Sequence, residues 1–358
     1  MVKRSVFWHQ HRWYLWALLV LLLGLGAFAG LDANSNWQSQ HSSASLAMEA
    51  NNSLKYQAKT GTYVDRQGRH YSSKRAYEKV YAKQNLQLFR AQPTKKTHST
   101  RSPFDNGMNM NSFFVIIAMG IFVIWVSRWR HLNVFLQTLG WTRPQIYRQQ
   151  TGAYGLVTLL GIAGGQCLEL LILKLQIPAL YWQNFQWQNW LANVASDMVM
   201  GLTLLMLAML ATTILTNGIV AFLLITIGYF FWTLPANMLL GRDIAGVYLS
   251  RHWLLGNALA LVIAFASWLL GQAVSRTYSS ECSQNVVVNP WLRLPVLVIL
   301  SMPVSFYLCE GVFTNFTSST IGWPIVVVTW VIVMAIMSLW VYRPRWSQRF
   351  WQLFAILR

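Results

Sequence analysis

Acidic residues are scarce in this chain. Ten Asp and Glu stand among 358 residues, against 28 Lys and Arg, and charged residues make up only 11% of the whole. A soluble domain carries roughly 25% charged residues, so this chain cannot cover a water-facing surface in the usual way. Cysteine is scarce too. Cys167, Cys282 and Cys309 lie far apart and give neither a disulfide framework nor a metal spacing; they read as small buried residues. No G-x-x-x-x-G-K-[ST] occurs, which excludes a P-loop nucleotide site in this polypeptide. No H-E-x-x-H or G-x-S-x-G occurs, and no apolar run holds a pair of glutamates suited to hydrolysis. His9, His11, His41, His70 and His98 fall outside the apolar runs, and His131 and His252 at loop edges. The chain therefore reads as a conduit or scaffold rather than an enzyme, with no catalytic, cofactor or metal residues of its own.

What the chain has is apolar length. Hydrophobic residues make up 55%, and the mean hydropathy is +0.37. A membrane helix needs about 20 mostly apolar residues, and the segments that qualify are 13–31, 112–128, 152–174, 193–216, 218–239, 254–274, 294–312 and 322–342. The expected fold is an all-α polytopic integral membrane protein with about eight transmembrane helices. Six or seven stays open if one segment dips without crossing.

The net charge of +18 would suggest nucleic acid in a soluble protein; in a membrane protein it reports contact with anionic lipid and control of topology. With both termini cytoplasmic, thirteen basic residues fall in short inner segments and only Lys174, Arg242 and Arg251 in short outer loops. The rest lie in 32–111, a long loop of the kind that translocates regardless of charge. The organisation is then 1–31, N-terminus and first helix; 32–111, extracellular loop or small ectodomain; 112–342, helical membrane domain with a cytoplasmic loop at 128–150; and 343–358, a basic cytoplasmic tail. Ala27-Phe28-Ala29 resembles a signal-peptide cleavage site, but the run before it is longer than a usual signal core, and an uncleaved anchor is expected.

Within 32–111, both ends are polar and expected to be flexible. GTYVDRQGRHYS reads as a small hairpin around DRQG. SSKRAYEKVYAKQNLQLF reads as a helix opened by Ser72 or Ser73, its basic face either solvated or turned to anionic headgroups or wall polymers. In the tail, Trp346, Phe350 and Trp351 among arginines suit the membrane surface.

The loop 130–150 reads RHLNVFLQTLGWTRPQIYRQQ. Leu132, Phe135, Leu136 and Leu139 follow i, i+3, i+4, i+7, an apolar stripe on a short helix. Gly140 can end it, Thr142 can cap the next helix, and Pro144 is tolerated in a first turn. By itself the segment could be an interfacial anchor. Chain order and segment together resemble an ABC-2-type permease, the membrane subunit of a Gram-positive ATP-binding-cassette transporter, in which a Ser-Arg phrase precedes the third span. TLGWTRPQIYRQQ is similar to it, with Thr142-Arg143 at the Ser-Arg pair. SRTYSSECSQNVVVNPWLR at 275–293 is similar to a second cytoplasmic phrase through Glu281, Pro290 and Arg293.

The resemblance implies a coupling helix at Gly140, Trp141, Thr142, Arg143, Pro144, Gln145, Ile146 and Tyr147. It would dock on a separate ABC ATPase that binds the ATP, with Trp141, Ile146 and Tyr147 as an apolar-aromatic knob. It implies a second permease copy or a related permease, membrane lipids around the spans, a bacterial plasma-membrane location, and an amphipathic substrate such as a lipid, peptide or antimicrobial. The competing class is a non-transporting immunity or sensor protein that binds a toxin or peptide through the extracellular loop. Glu169, Asp197 and Glu310 are ionisable residues inside expected spans, at a shared depth. They read either as an acidic vestibule on a translocation pathway or as locally satisfied groups.

Overall fold

The computed structural model describes residues 2–58, 60–89, 110–215, 221–222, 225, 253–277, 287, 290–312 and 322–342. Ten helices lie among them: α1 Val2–His41, α2 Ser43–Ser53, α3 Lys74–Asn85, α4 Met110–Trp129, α5 Leu132–Thr138, α6 Arg143–Gln176, α7 Trp187–Ile214, α8 Trp253–Thr277, α9 Arg293–Val312 and α10 Gly322–Tyr342. A three-stranded sheet is formed by β1 Lys55–Gln57, β2 Thr62–Val64 and β3 His70–Tyr71. Six of the eight expected spans fall within helices, and a seventh, 193–216, does so as far as Ile214. Among the described residues α1, α4, α6, α7 and α8 are long and apolar enough to cross a membrane, and α9 and α10 carry shorter apolar stretches. Most of the span expected at 218–239 (all but 221–222 and 225), the end of the long loop, Glu281 and the tail 343–358 lie outside the described residues.

The chain forms two compact units, one of Met1–Leu18, Phe113–Leu159 and Val199–Arg358, the other of Leu19–Ser112 and Leu160–Met198. In the second unit, α1 and α6 run in the same direction at very close range. Gly26 and Gly30 on α1 are four residues apart, as are Gly161 and Gly165 on α6, so each helix presents a smooth strip. A Cβ at Gly26 would fall inside the backbone of Gly165, one at Gly165 would sit 2.9 Å from the Leu22 carbonyl oxygen, and one at Gly30 3.0 Å from the Cα of Glu169. Small side chains let the backbones meet, which gives dispersion contacts where no hydrophobic driving force separates helix from lipid. Ala27-Phe28-Ala29 sits between these glycines in unbroken helix.

The start of the segment 32–111 is helical, contrary to the expectation of a flexible end. Residues 32–41 contain neither Gly nor Pro, and Ala33 and Trp37 within them are buried. Trp37 stacks on His41 and donates its indole N–H to the Leu86 carbonyl at 3.0 Å, while His41 and the Tyr181 hydroxyl are hydrogen-bonded at 2.9 Å. Burial of these aromatics outweighs the polar composition. A new helix then begins at Ser42, whose hydroxyl accepts from the Ser45 amide.

The expected hairpin is present with a third strand added: Lys55 pairs with Val64 and Tyr63 with Tyr71 in antiparallel register. Asp65 organises its turn, accepting from the Gln67 and Arg69 amides (2.8 and 2.9 Å), the Arg69 guanidinium (2.8 Å) and the Tyr71 hydroxyl (3.2 Å). Gly68 supplies the left-handed residue the turn needs. Helix α3 opens on Ser73, whose hydroxyl accepts from Ala76, and stops at Asn85. Leu86–Phe89 then form a buried strap. The Leu88 amide donates to the Tyr181 carbonyl, the Gln87 amide group to the Leu180 carbonyl, and the Asn184 amide group to the Phe89 carbonyl. With Leu173, Ile177 and Tyr181 this strap closes the core of the unit.

In the first unit α4 and α7 run in the same direction. Arg128 donates to the carbonyls of Thr213 and Leu215, supplying partners to the otherwise open C-terminus of α7. α8 lies against α6 and α7 through Trp268–Thr151 (3.2 Å) and Thr203–Ala260 (3.0 Å). α9 and α10 form an antiparallel pair held by a hydrogen bond from Trp330 to Ser301.

Candidate functional site

The loop 130–150 has the expected shape, and its bonds explain why. The Gly140 amide donates to Gln137 and the Trp141 amide to Leu136, a helix ending in which the left-handed residue is Gly140, at φ +80°. The next helix is opened from the opposite side to the one expected of Thr142. The Thr142 amide donates to the Gln145 side chain at 3.0 Å, the returning half of a capping box. Pro144 falls in the first turn, where its missing N–H costs nothing.

The orientation of the side chains corrects the expectation of a knob. Ile146 and Tyr147 are only 2% and 3% exposed, so both are core residues of their own unit. Tyr147 lies against Gly271 of α8 so closely that a Cβ there would overlap the phenol. Trp141 stacks over Phe7, which stacks on His11, and His11 is hydrogen-bonded to the Tyr154 hydroxyl at 3.1 Å. The helical phase is the reason: Arg143, Ile146, Tyr147 and Gln150 lie on the α6 face that meets neighbouring helices, whereas Thr142, Gln145 and Arg148 are exposed. Of the apolar stripe on α5, only Leu136 is buried. Val134, Phe135 and Leu139 are exposed, and they are the apolar groups this elbow offers outward.

In the second unit, Glu169 and Asp197 are brought near one another through a residue that sequence reasoning missed. The Gln166 side-chain amide donates to the Asp197 carboxylate, and Gln166 shares two small cavities with Glu169. One cavity, about 10 Å³, is walled by Phe89, Leu173, Trp190 and Asn193; the other, about 20 Å³, by Leu22, Ser112 and Gly165. Each has room for about one water molecule, so this is a packed polar cluster and not an open vestibule. Glu169 is buried and Asp197 half-buried. Glu310 lies in α9, but its side chain is outside the described residues. The i, i+4 glycines at 26/30 and 161/165 were the available signal that α1 and α6 meet here. Cys167, expected to be buried, is exposed, and Cys309 is buried. Among the described residues no group of three His, Cys, Asp or Glu is placed to hold a metal ion.

The structure is mostly helical, and among the described residues five helices are long and apolar enough to cross a membrane, the marks of a helical membrane protein. No family model, curated protein or solved structure matches the chain.

Proposed function

We propose that the chain is the membrane-spanning subunit of an ATP-binding-cassette transporter, worked by a separate ATPase and paired with a second copy or a related permease. Its expected cargo is an amphipathic compound such as a lipid, peptide or antimicrobial, exported across a bacterial plasma membrane. The observation that carries this reading is the elbow at 132–147. A short helix with exposed Val134, Phe135 and Leu139 is fixed by a glycine turn to a 34-residue helix. The helix directions are those of a polytopic chain: α1 parallels α6 and α4 parallels α7, as they do when successive spans alternate in direction.

The test is copurification of an ABC ATPase coexpressed with this chain. Phe135→Ser with Val134→Ser should abolish capture while the permease still inserts, since apolar anchors at small interfaces cost about 2 kcal/mol or more when removed. Undiminished capture would remove the elbow from the interface.

One observation favours a second reading, a non-transporting immunity or sensor protein. The outer segment is a built module, with its own sheet, a capped α3 and exposed Tyr56 beside Tyr63 and Lys74. Protection of cells from a toxin that survives loss of the ATPase would select this reading over the first.

A further inference from the structure

A shallow, open groove of about 360 Å³ on the first unit runs along α6, between α7 and α8. We propose that it holds one acyl chain of an anionic phospholipid, with the lipid phosphate at Arg148. This inference is independent of whether an ATPase drives the chain.

The groove is apolar over most of its length. Gly152 leaves its floor open, with nothing within 4 Å of where a Cβ would lie. Gly155 lets Met206 approach, and Leu156 and Leu159 continue the wall. Its polar groups already have partners. The Trp268 indole N–H donates to the Thr151 hydroxyl at 3.2 Å, and that hydroxyl donates to the Tyr147 carbonyl at 3.0 Å. A polar ligand would find nothing to bond along the channel, whereas a hydrocarbon chain fits a wall without open donors.

Charge and length select the ligand. Arg148 is exposed at one end of the groove, and among the described residues no carboxylate lies within ion-pair distance of it. Guanidinium binds phosphate through paired N–H donors, which suits a phospholipid headgroup. From Arg148 to Leu159 the helix rises about 16 Å, close to half of the roughly 30 Å hydrocarbon thickness of a bilayer. A headgroup at Arg148 therefore puts its chain end near the midplane, as in one leaflet. Leu156 is 55% exposed at the mouth, so the chain can enter sideways from the membrane.

The test uses the purified full chain, delipidated in detergent, with phosphatidylglycerol or phosphatidylcholine carrying a diazirine in one acyl chain. Irradiation and peptide mapping should place phosphatidylglycerol adducts on 151–159 and on the segments around Met206 and Trp268. Gly152→Phe fills the groove and should lower that labelling about tenfold, while Arg148→Gln should bring phosphatidylglycerol down to the phosphatidylcholine level. Loss of one charged hydrogen-bond partner is worth roughly a factor of ten. Met206→Trp, which narrows the groove from the opposite wall, serves where Gly152→Phe does not elute as a folded species. Equal labelling by the two lipids in the unaltered chain would overturn the proposal. So would adducts indifferent to both filling variants, or cross-linking of the groove to a second copy of the chain instead of lipid.

Discussion

Replacing Gly26 by alanine should force α1 and α6 apart, whereas the same change two residues earlier, at Gly24, should not. The alanine methyl at Gly26 would overlap the backbone of Gly165, while at Gly24 nothing lies within 4 Å. To regain carbon–carbon contact near 3.5–4.0 Å the helices must retreat by about 1 Å or more, and a gap of that size forfeits a quarter to a half of each affected contact. The neighbouring close approaches, Gly30 on Glu169 and Gly161 on Leu22, loosen with it. Overpacking of this kind costs about 1–3 kcal/mol. At Gly24 the methyl meets open space and removes a poor helix former, a change worth up to about 1 kcal/mol in the opposite sense. Thermal unfolding of the detergent-solubilised protein, followed by the fraction still eluting as a single species, should show Gly26→Ala melting lower and Gly24→Ala no lower than the unaltered chain. Identical melting of the two variants would refute the close glycine contact between these helices.

The hairpin turn should be acid-labile. Partial desolvation pushes the Asp65 carboxyl up, but hydrogen bonds from the Arg69 amide and guanidinium, the Gln67 amide and the Tyr71 hydroxyl outweigh it and hold the group below the usual range. Its stabilisation is therefore present above the unfolded carboxyl value, about 3.9, and is lost as pH falls through the lower folded value; hydrogen-exchange protection at 62–71 should drop there, and Asp65→Asn should be unprotected and insensitive to that change. Cysteines placed at Ser73 and Gln145, both exposed, should differ in intact cells: only the first should react with an impermeant thiol reagent. Tyr147→Ala should reduce the folded yield, because emptying a buried aromatic site costs about 3–5 kcal/mol; an unchanged yield would mean that its burial is dispensable. Asp197→Asn keeps the acceptor for Gln166 and should leave the protein folded; under the proposed transporter function it should alter substrate-stimulated hydrolysis by the partner ATPase, and unaltered hydrolysis would make the cluster structural.

Local signals were legible in the sequence because their physics is local. Gly140, Thr142 and Ser73 mark a turn and two helix starts through bonds to residues within five positions, and the hairpin follows from its own turn. Burial was not legible, because it depends on partners distant in the chain. Tyr147 looks like a loop residue until Gly271 is seen against it, and the helix past Leu31 is held by a strap at 86–89 that no window around it reveals. The site suffered most. Asp197 and Glu169 could be singled out as intramembrane acids, but Gln166, which connects them, is unremarkable as a letter. The spacing of Gly161 and Gly165 carried the missing information about which helices touch.

The strap at Leu86–Phe89 also dictates an order of events during synthesis. Its partners Leu173, Ile177, Tyr181 and Asn184 are made nearly a hundred residues later, so the outer module cannot close its core while the ribosome is still producing α4 or α5. Until the end of α6 is made, Leu86, Leu88 and Phe89 lack the partners that bury them, a sticky edge open for the seconds that elongation takes. Chaperones have their window there, and a chain truncated before residue 173 should be recognised as unfinished by proteases that survey exposed apolar segments.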